Sequence, residues 1–299
     1  CEIDCTFDPS SDPQPLRSAL DLICREAEDA VRGGGTHLIL TDMAMCKERA
    51  AIPMILATGA VHGHLVRQSL RTFTSLNIRS AECFDVHYFA VLIGAGATTV
   101  NANLAEESIA DRHRRGLFGK MTLKDCLDNY KTAIDKGLLK IMSKMGIGVI
   151  SSYRGGCNFE AVGLSRALVA EFFPGMATRI SGIGLSGMES KVIEMHAKAY
   201  AEEATPLPVG GFYRFRSGGE AHGHQGRLIH ILQNAVNTES YTIYKRYSEG
   251  VRELPPIYLR DLLDFKSVNP PVSTDEMESI TAIRKRLVSP AISLGALSP

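Results

Sequence analysis

The first 204 residues alternate short apolar runs of strand type with amphipathic helical stretches. Between Leu16 and Val31, apolar residues recur every three or four positions and charged residues occupy the other face, which predicts a helix that ends at Gly33. Strands are predicted at residues 2–7, 37–41, 77–81, 98–102, 148–153 and 179–182, and helices at 16–31, 52–66, 85–93, 123–145, 159–164, 166–172 and 188–203. Units of this kind indicate parallel strands with helical crossovers, as in a doubly wound sheet or an α/β barrel.

The pattern changes beyond residue 205. Irregular sequence rich in Gly and Arg is followed by predicted helices at 227–237 and 240–251, and by a last one at 275–287. Proline pairs at 255–256 and 270–271 interrupt the intervening sequence. This part is predicted to be a helical and irregular connector.

Charge and composition exclude several classes of protein. The 33 basic residues balance 33 acidic ones, so no net positive field favours binding to nucleic acid or to an anionic membrane. The longest apolar runs fall short of the roughly 20 residues that a membrane helix needs. The seven cysteines are scattered, without C-x-x-C spacing, which favours a reducing cytoplasm.

Two groups of histidines suggest a metal site. His62 and His64, with His87 further along, lie in predicted helices, where residues two apart do not share a face. His222 and His224 lie in a Gly-rich loop, where such a pair can converge. We favour a structural role or hydrogen bonds between elements over a metal for the first group. For the second group, we favour a solvated loop or an ordered domain contact.

Two glycine-containing segments invite a functional interpretation. The segment Gly182–Gly187 has a loose G-x-G-x-x-G pattern between a predicted strand and a helix, where backbone amides can hold a phosphate. A tight turn is the favoured alternative. Cys157 follows Gly155 and Gly156 at a predicted helix start, a position that can lower a thiol pKa. No histidine nearby in the sequence activates it, so we do not predict that it is a nucleophile.

Several charged residues also stand out. Arg154, Arg214 and Arg216 lie beside flexible backbone, where they can bind an anion or clamp a carboxylate across a domain boundary, and we favour the clamp. Glu160 and Glu194 have no partner that the sequence reveals. Ion pairs on helix surfaces are therefore favoured over general acid or base roles.

Several stretches of the sequence closely resemble the central domain of bacterial glutamate synthases. The similarity runs in order from about residue 3 to the last residue. Its strongest stretches are residues 51–62, 89–101, 137–147, 152–155, 179–185, 210–214 and 259–263.

The resemblance implies a place within a larger subunit. In this family, an amidotransferase domain with a cysteine nucleophile releases ammonia from L-glutamine, and a central domain follows. An FMN barrel with a 3Fe–4S cluster then makes L-glutamate from the ammonia and 2-oxoglutarate. We therefore expect a TIM-like (β/α) barrel, partial or complete, over residues 1–204, a connector over 205–288, and the first strand of the FMN-binding domain over 289–299.

The same resemblance implies a role without catalysis. The chain would separate the two active sites and form part of the ammonia tunnel, with neither a catalytic residue nor a cofactor or metal of its own. Ser293, Leu294, Gly295 and Ala296 would contact FMN only in the intact subunit. Cys1 lacks the context of the family's catalytic cysteine.

The expected partners are the amidotransferase and FMN domains of the same chain and an NADPH-oxidising small subunit. The alternative function is an autonomous α/β barrel that binds a phosphate or another small molecule at Gly182–Gly187.

Overall fold

The computed structural model describes residues 1–201, 209–212 and 214–287, and the chain divides into two units near residue 205. The first unit is an α/β structure, as the alternating pattern predicts. Its strands are β1 (Glu2–Asp4), β2 (Thr6–Phe7), β3 (His37–Thr41), β4 (Ala50–Ala51), β5 (Ser75–Arg79) and β6 (Thr99–Asn101). Its helices are α1 (Pro15–Arg32), α2 (Met54–Arg67), α3 (Val86–Ala95), α4 (Asn103–Arg114), α5 (Leu123–Met145), α6 (Ile150–Tyr153), α7 (Arg166–Phe172) and α8 (Leu185–Ala199).

A parallel sheet of order β1-β3-β5-β6 forms the centre of the first unit. Leu40 of β3 is in register with Ile3 of β1 and with Ile78 of β5, and all three side chains are buried. Strands β2 and β4 form a separate antiparallel pair. Strand neighbours therefore follow chain order, and in the described residues the four parallel strands form an open row.

Helix ends follow the local sequence signals. Asp85 caps α3 by accepting a hydrogen bond from the backbone N–H of Tyr88 at 2.8 Å. Thr122 and Asp125 form a reciprocal capping box at the start of α5. Gly146 ends α5 in a left-handed conformation, with φ of 72°. These signals explain why the bounds predicted for α5 are confirmed.

Three predicted elements are wrong. The strand expected at 148–153 is the short helix α6, because Tyr153 turns inward and donates a hydrogen bond from its hydroxyl to the carbonyl of Ala90 at 3.2 Å. The segment 159–164, expected to be a helix, is not helical and is joined to neighbouring segments by single bridges at Glu160 and Leu164. Residues 179–182 form no strand. Short apolar runs do not distinguish helix from strand.

Sequence patterns also missed two elements. Helix α4 has no buried residue and therefore no apolar periodicity to reveal it. Strand β4 has only two residues, and its pairing with β2 depends on contacts distant in sequence.

The second unit contains α9 (Gly226–Asn237), α10 (Tyr241–Arg252) and α11 (Ile280–Arg284). The first two confirm their predicted helices, and they pack closely: a Cβ atom at Gly250 would lie 2.6 Å from Leu228. The predicted helix at 275–287 is reduced to α11 and a preceding 3-10 turn. No helix within the described ranges is long and apolar enough to span a membrane.

Candidate functional site

A cavity of about 850 Å³ opens beside the carboxyl edge of the parallel sheet. Ligands of α/β proteins commonly bind at this edge. The lining is mainly aliphatic and aromatic, with a few polar groups. It consists of Pro53, Ile55, Leu56, Glu82, Phe84, His87, Tyr88, Val91, Phe159, Glu160, Ala161, Leu164, Phe173, Met176 and Met188.

The segment that follows β5 carries Glu82 to the cavity, and Asp42 fixes its course. Asp42 directly follows β3 and is buried. Its carboxylate accepts hydrogen bonds from the hydroxyl of Ser80 at 2.6 Å and from the backbone N–H of Ala81 at 3.0 Å. Two neighbouring strand ends are thereby joined, which holds the cavity rim in place.

Glu82 is one of the polar groups of the cavity, and one oxygen of its carboxylate accepts two hydrogen bonds. One oxygen accepts a hydrogen bond from the backbone N–H of Met54 at 2.9 Å, which caps the positive end of α2. The same oxygen accepts a hydrogen bond from the hydroxyl of Tyr88. Burial, and then the neighbouring Glu82 carboxylate, raise the pKa of Tyr88, so its hydroxyl remains protonated and donates.

Neither Cys83 nor Cys157 is activated as a nucleophile. Burial raises the pKa of Cys83 to about 12, with further contributions from Glu82 and Asp42. Burial also raises the pKa of Cys157, which lies in no helix and has φ of 46°. The helix start predicted at Cys157 is therefore wrong. Both thiols remain protonated near neutral pH, and the thiol form is a poor nucleophile.

The histidines of the first unit do not converge. His62 Nδ1 accepts a hydrogen bond from Arg71 Nε at 3.0 Å, whereas His64 Nε2 contacts a carboxylate oxygen of Glu28 at 2.7 Å. His87 lies exposed at the cavity rim. In the part of the chain that the structure describes, no three His, Cys, Asp or Glu residues are grouped to hold a metal ion.

His62 provides a pH test of the fold. Burial, and secondarily Arg71, lower its pKa from 6.5 to about 4. The folded state therefore favours the neutral ring, and this contribution is complete above pH 6.5 and lost as the pH falls towards 4. We expect His62→Asn to remove on the order of 2 kcal/mol of pH-dependent stability between these limits, after allowance for solvent screening.

Urea unfolding from pH 4 to pH 7 measures this effect. His87→Asn is the matched control, since it replaces an exposed histidine of the same unit. The prediction would be contradicted if the free energy of unfolding changed with pH by the same amount in the wild type, His62→Asn and His87→Asn.

Backbone packing explains Gly182, the first glycine of the proposed phosphate loop. A Cβ atom at Gly182 would lie 2.1 Å from the carbonyl oxygen of Gly163. The backbone N–H of Ile183 donates to that oxygen at 2.9 Å, and Gly184 is the N-cap of α8. Gly96 is also closely packed: its φ is 125°, and a Cβ atom there would meet the His62 ring. Close approach of the backbone therefore accounts for small residues in both places.

The structure gives local partners to several other candidates. Glu160 pairs with Arg179 at 3.5 Å and Glu194 with Lys198 at 2.6 Å, as the ion-pair interpretation predicts. His222 Nε2 contacts the carbonyl oxygen of Gly211. His224, Arg214 and Arg216 belong to the second unit, and the two arginine side chains are exposed.

The sequence singles out Cys1 at one end of the chain and residues 293–296 at the other. The amino group of Cys1 donates to the carbonyl of His37 at 2.8 Å, which joins the start of β1 to β3. Ser293, Leu294, Gly295 and Ala296, the predicted FMN contacts, lie outside the described residues.

Sequence reasoning missed Asp42, Glu82 and Tyr88, which shape the cavity. The available signal was the position of the two acidic residues directly after predicted strands of a parallel sheet.

Comparisons with known proteins identify two matching regions. A family described as "Glutamate synthase central domain" matches residues 1–165, and "Conserved region in glutamate synthase" matches residues 222–299. The glutamate synthase [NADPH] large chain of Azospirillum brasilense is 67% identical over 298 residues, covering 100% of this chain and 20% of that protein. The ferredoxin-dependent glutamate synthase 2 of Synechocystis is 36% identical over 306 residues, covering 95% of this chain and 20% of that protein.

A third relative, the glutamate synthase [NADPH] large chain of Bacillus subtilis, is 35% identical over 286 residues, covering 95% of this chain and 19% of that protein. The chain thus spans about a fifth of the length of these relatives.

Proposed function

The chain belongs to the glutamate synthase central-domain family, and on that basis we propose that it links a glutaminase site to an FMN-dependent synthase site and forms part of the passage for ammonia between them. The parent large chain would produce L-glutamate from L-glutamine and 2-oxoglutarate. The domain itself would catalyse no reaction. Its function would be to hold the two sites apart and to exclude water from the route.

The apolar cavity at the carboxyl edge of the sheet is the observation that supports this role. Ammonia reacts as the neutral molecule, and protonation in bulk water would abolish its nucleophilicity. The aliphatic and aromatic side chains that make up most of the lining disfavour the ammonium ion and tolerate the neutral molecule. The cavity therefore has the polarity that the wall of such a passage requires.

The cofactors and partners follow from the family. FMN and a 3Fe–4S cluster would belong to the FMN domain of the parent chain, with Ser293–Ala296 contacting FMN at its first strand. The amidotransferase and FMN domains would be covalent neighbours. An NADPH-oxidising small subunit in the cytoplasm is the proposed electron donor, and 67% identity to a protein named as an NADPH form supports it. A TIM-like barrel remains our proposal for the fold, supported by parallel neighbours in chain order.

Partial filling of the cavity tests the proposal. Val91 lies on α3 and lines the cavity, so Val91→Phe in a full-length large chain carrying this sequence should narrow the passage. We expect glutamine-dependent glutamate synthesis to fall about tenfold, equivalent to roughly 1.4 kcal/mol on the transfer step. Glutamine hydrolysis should continue, because its site lies in another domain.

The measurement is the ratio of L-glutamine consumed to 2-oxoglutarate consumed, together with free ammonia in solution. Val66→Phe is the matched control, since Val66 lies on α2 and is 52% exposed. An unchanged ratio in Val91→Phe, with the bulky side chain shown to be folded into the cavity, would contradict the role of this cavity.

A further inference from the structure

A second pocket, of about 530 Å³, lies at the amino edge of the parallel sheet, where β5 and β6 begin. Its lining combines two arginines and a histidine with hydroxyl groups. The residues are His62, Arg71, Thr72, Phe73, Thr74, Ser75, Thr98 and Arg154. No carboxylate is among them, although the whole chain has as many acidic as basic residues. The pocket is therefore a local concentration of positive charge.

Arg71 is fixed in this pocket by hydrogen bonds to uncharged groups. Its guanidinium donates to the carbonyl of Thr74 at 2.7 Å, to the carbonyl of Gly96 at 2.8 Å and to His62 Nδ1 at 3.0 Å. These bonds hold the cation in one place without neutralising it. Burial lowers the pKa of Arg71, and the nearby charge of Arg154 lowers it further. At neutral pH the guanidinium nevertheless remains charged.

Arg154 is brought to the same pocket by the turn after α6. The backbone N–H of Gly155 donates to the carbonyl of Ile93 at 3.0 Å, and Gly155 adopts φ of 71° close to the His62 ring. The described residues include no ion-pair partner for either Arg154 or Arg71. Two neighbouring guanidinium groups thus share a pocket that contains no counter-charge.

We propose that Arg71, Arg154 and the surrounding hydroxyl groups form a binding site for a small free oxyanion that carries a carboxylate or phosphate group. Arg71 supplies a fixed positive charge, because most of its donors are already occupied. Arg154 supplies the planar fork of donors that matches two oxygens of such a group. The site lies at the edge of the sheet opposite the apolar cavity, so it is independent of the proposed ammonia passage.

Titration of the chain with inorganic phosphate, and separately with succinate, tests this site. The readouts are the Nε–Hε resonances of Arg154 and Arg71 in two-dimensional NMR spectra, with sodium chloride at matched ionic strength as the reference. The Arg71 resonance is present in every variant, because its Nε–H lies in the same pocket. We expect saturable shifts with at least one of the two anions and none with chloride.

Arg154→Gln should weaken the apparent affinity about tenfold or more, because a charged hydrogen bond is lost. The matched control, Arg25→Gln, removes the same charge from an exposed position on α1 and should bind like the wild type. Saturation by neither anion, or equal affinity in the two variants, would overturn the proposal. Should Arg154→Gln fail to fold, the wild-type resonance shift alone decides the question.

Discussion

We expect Leu40→Ala to lower the free energy of unfolding by about 2–5 kcal/mol, the range for removal of a large buried side chain. Leu40 is fully buried in β3, which has β1 on one side and β5 on the other. The truncation would leave a cavity between Ile3 and Ile78, its neighbours in register. The rigid strands limit how far the surrounding side chains can close it.

Urea unfolding followed by circular dichroism measures this loss. The matched control is Leu22→Ala on α1, where the side chain is 48% exposed, and we expect a change within about 0.5 kcal/mol. Equal effects of the two substitutions would show that the parallel sheet is not the core of the first unit.

We also expect a large loss in the free energy of unfolding when Gly182 is substituted. Gly182→Ala would place a methyl group 2.1 Å from the carbonyl oxygen of Gly163, so the two backbone segments would have to separate. We expect a loss of about 1–3 kcal/mol, as for other additions to tightly packed sites. The substitution distinguishes a packing role for this glycine from a phosphate-binding role.

Thermal and urea unfolding should show this loss without any added anion. Gly148→Ala is the control, because nothing lies within 4 Å of a Cβ atom there and its φ needs no glycine. A Gly182→Ala protein as stable as Gly148→Ala would refute the packing role and restore the phosphate-loop interpretation.

Elements with strong periodicity or clear end signals were predictable from sequence. Strand β3 and helices α5 and α7 have the bounds that the sequence pattern predicts. Each has its own local signal: an apolar run before Thr41, a capping box at Thr122, and the Ser165 side chain that caps α7. The family was also predictable, because the resemblance extends over the whole chain and the comparisons confirm it.

Features that depend on tertiary contacts were not predictable. Residues 148–153 look like a strand, but the burial of Tyr153 and its hydrogen bond to Ala90 favour a short helix. The cavity escaped notice because its polar groups, Glu82 and Tyr88, meet the N-terminus of α2 only after the strands pair. No periodicity in the sequence encodes such a meeting of strand ends.

The apolar cavity and the arginine pocket of the first unit have opposite polarity. The cavity at the carboxyl edge is mainly apolar, whereas the pocket at the amino edge contains two guanidinium groups without a counter-charge. A single parallel sheet thus keeps a wall suited to a neutral molecule apart from a surface suited to an anion.

Isotope competition in the full-length large chain most directly tests whether this domain guards the ammonia passage. The enzyme is given L-glutamine labelled with ¹⁵N in the amide group and an excess of unlabelled ammonium, and the label in the L-glutamate formed from 2-oxoglutarate is measured by mass spectrometry. We predict that the wild type and Val66→Phe retain the label in the product. Val91→Phe should lose much of it, and labelled ammonium should appear in solution. Equal label retention in all three proteins would contradict a passage wall at this cavity.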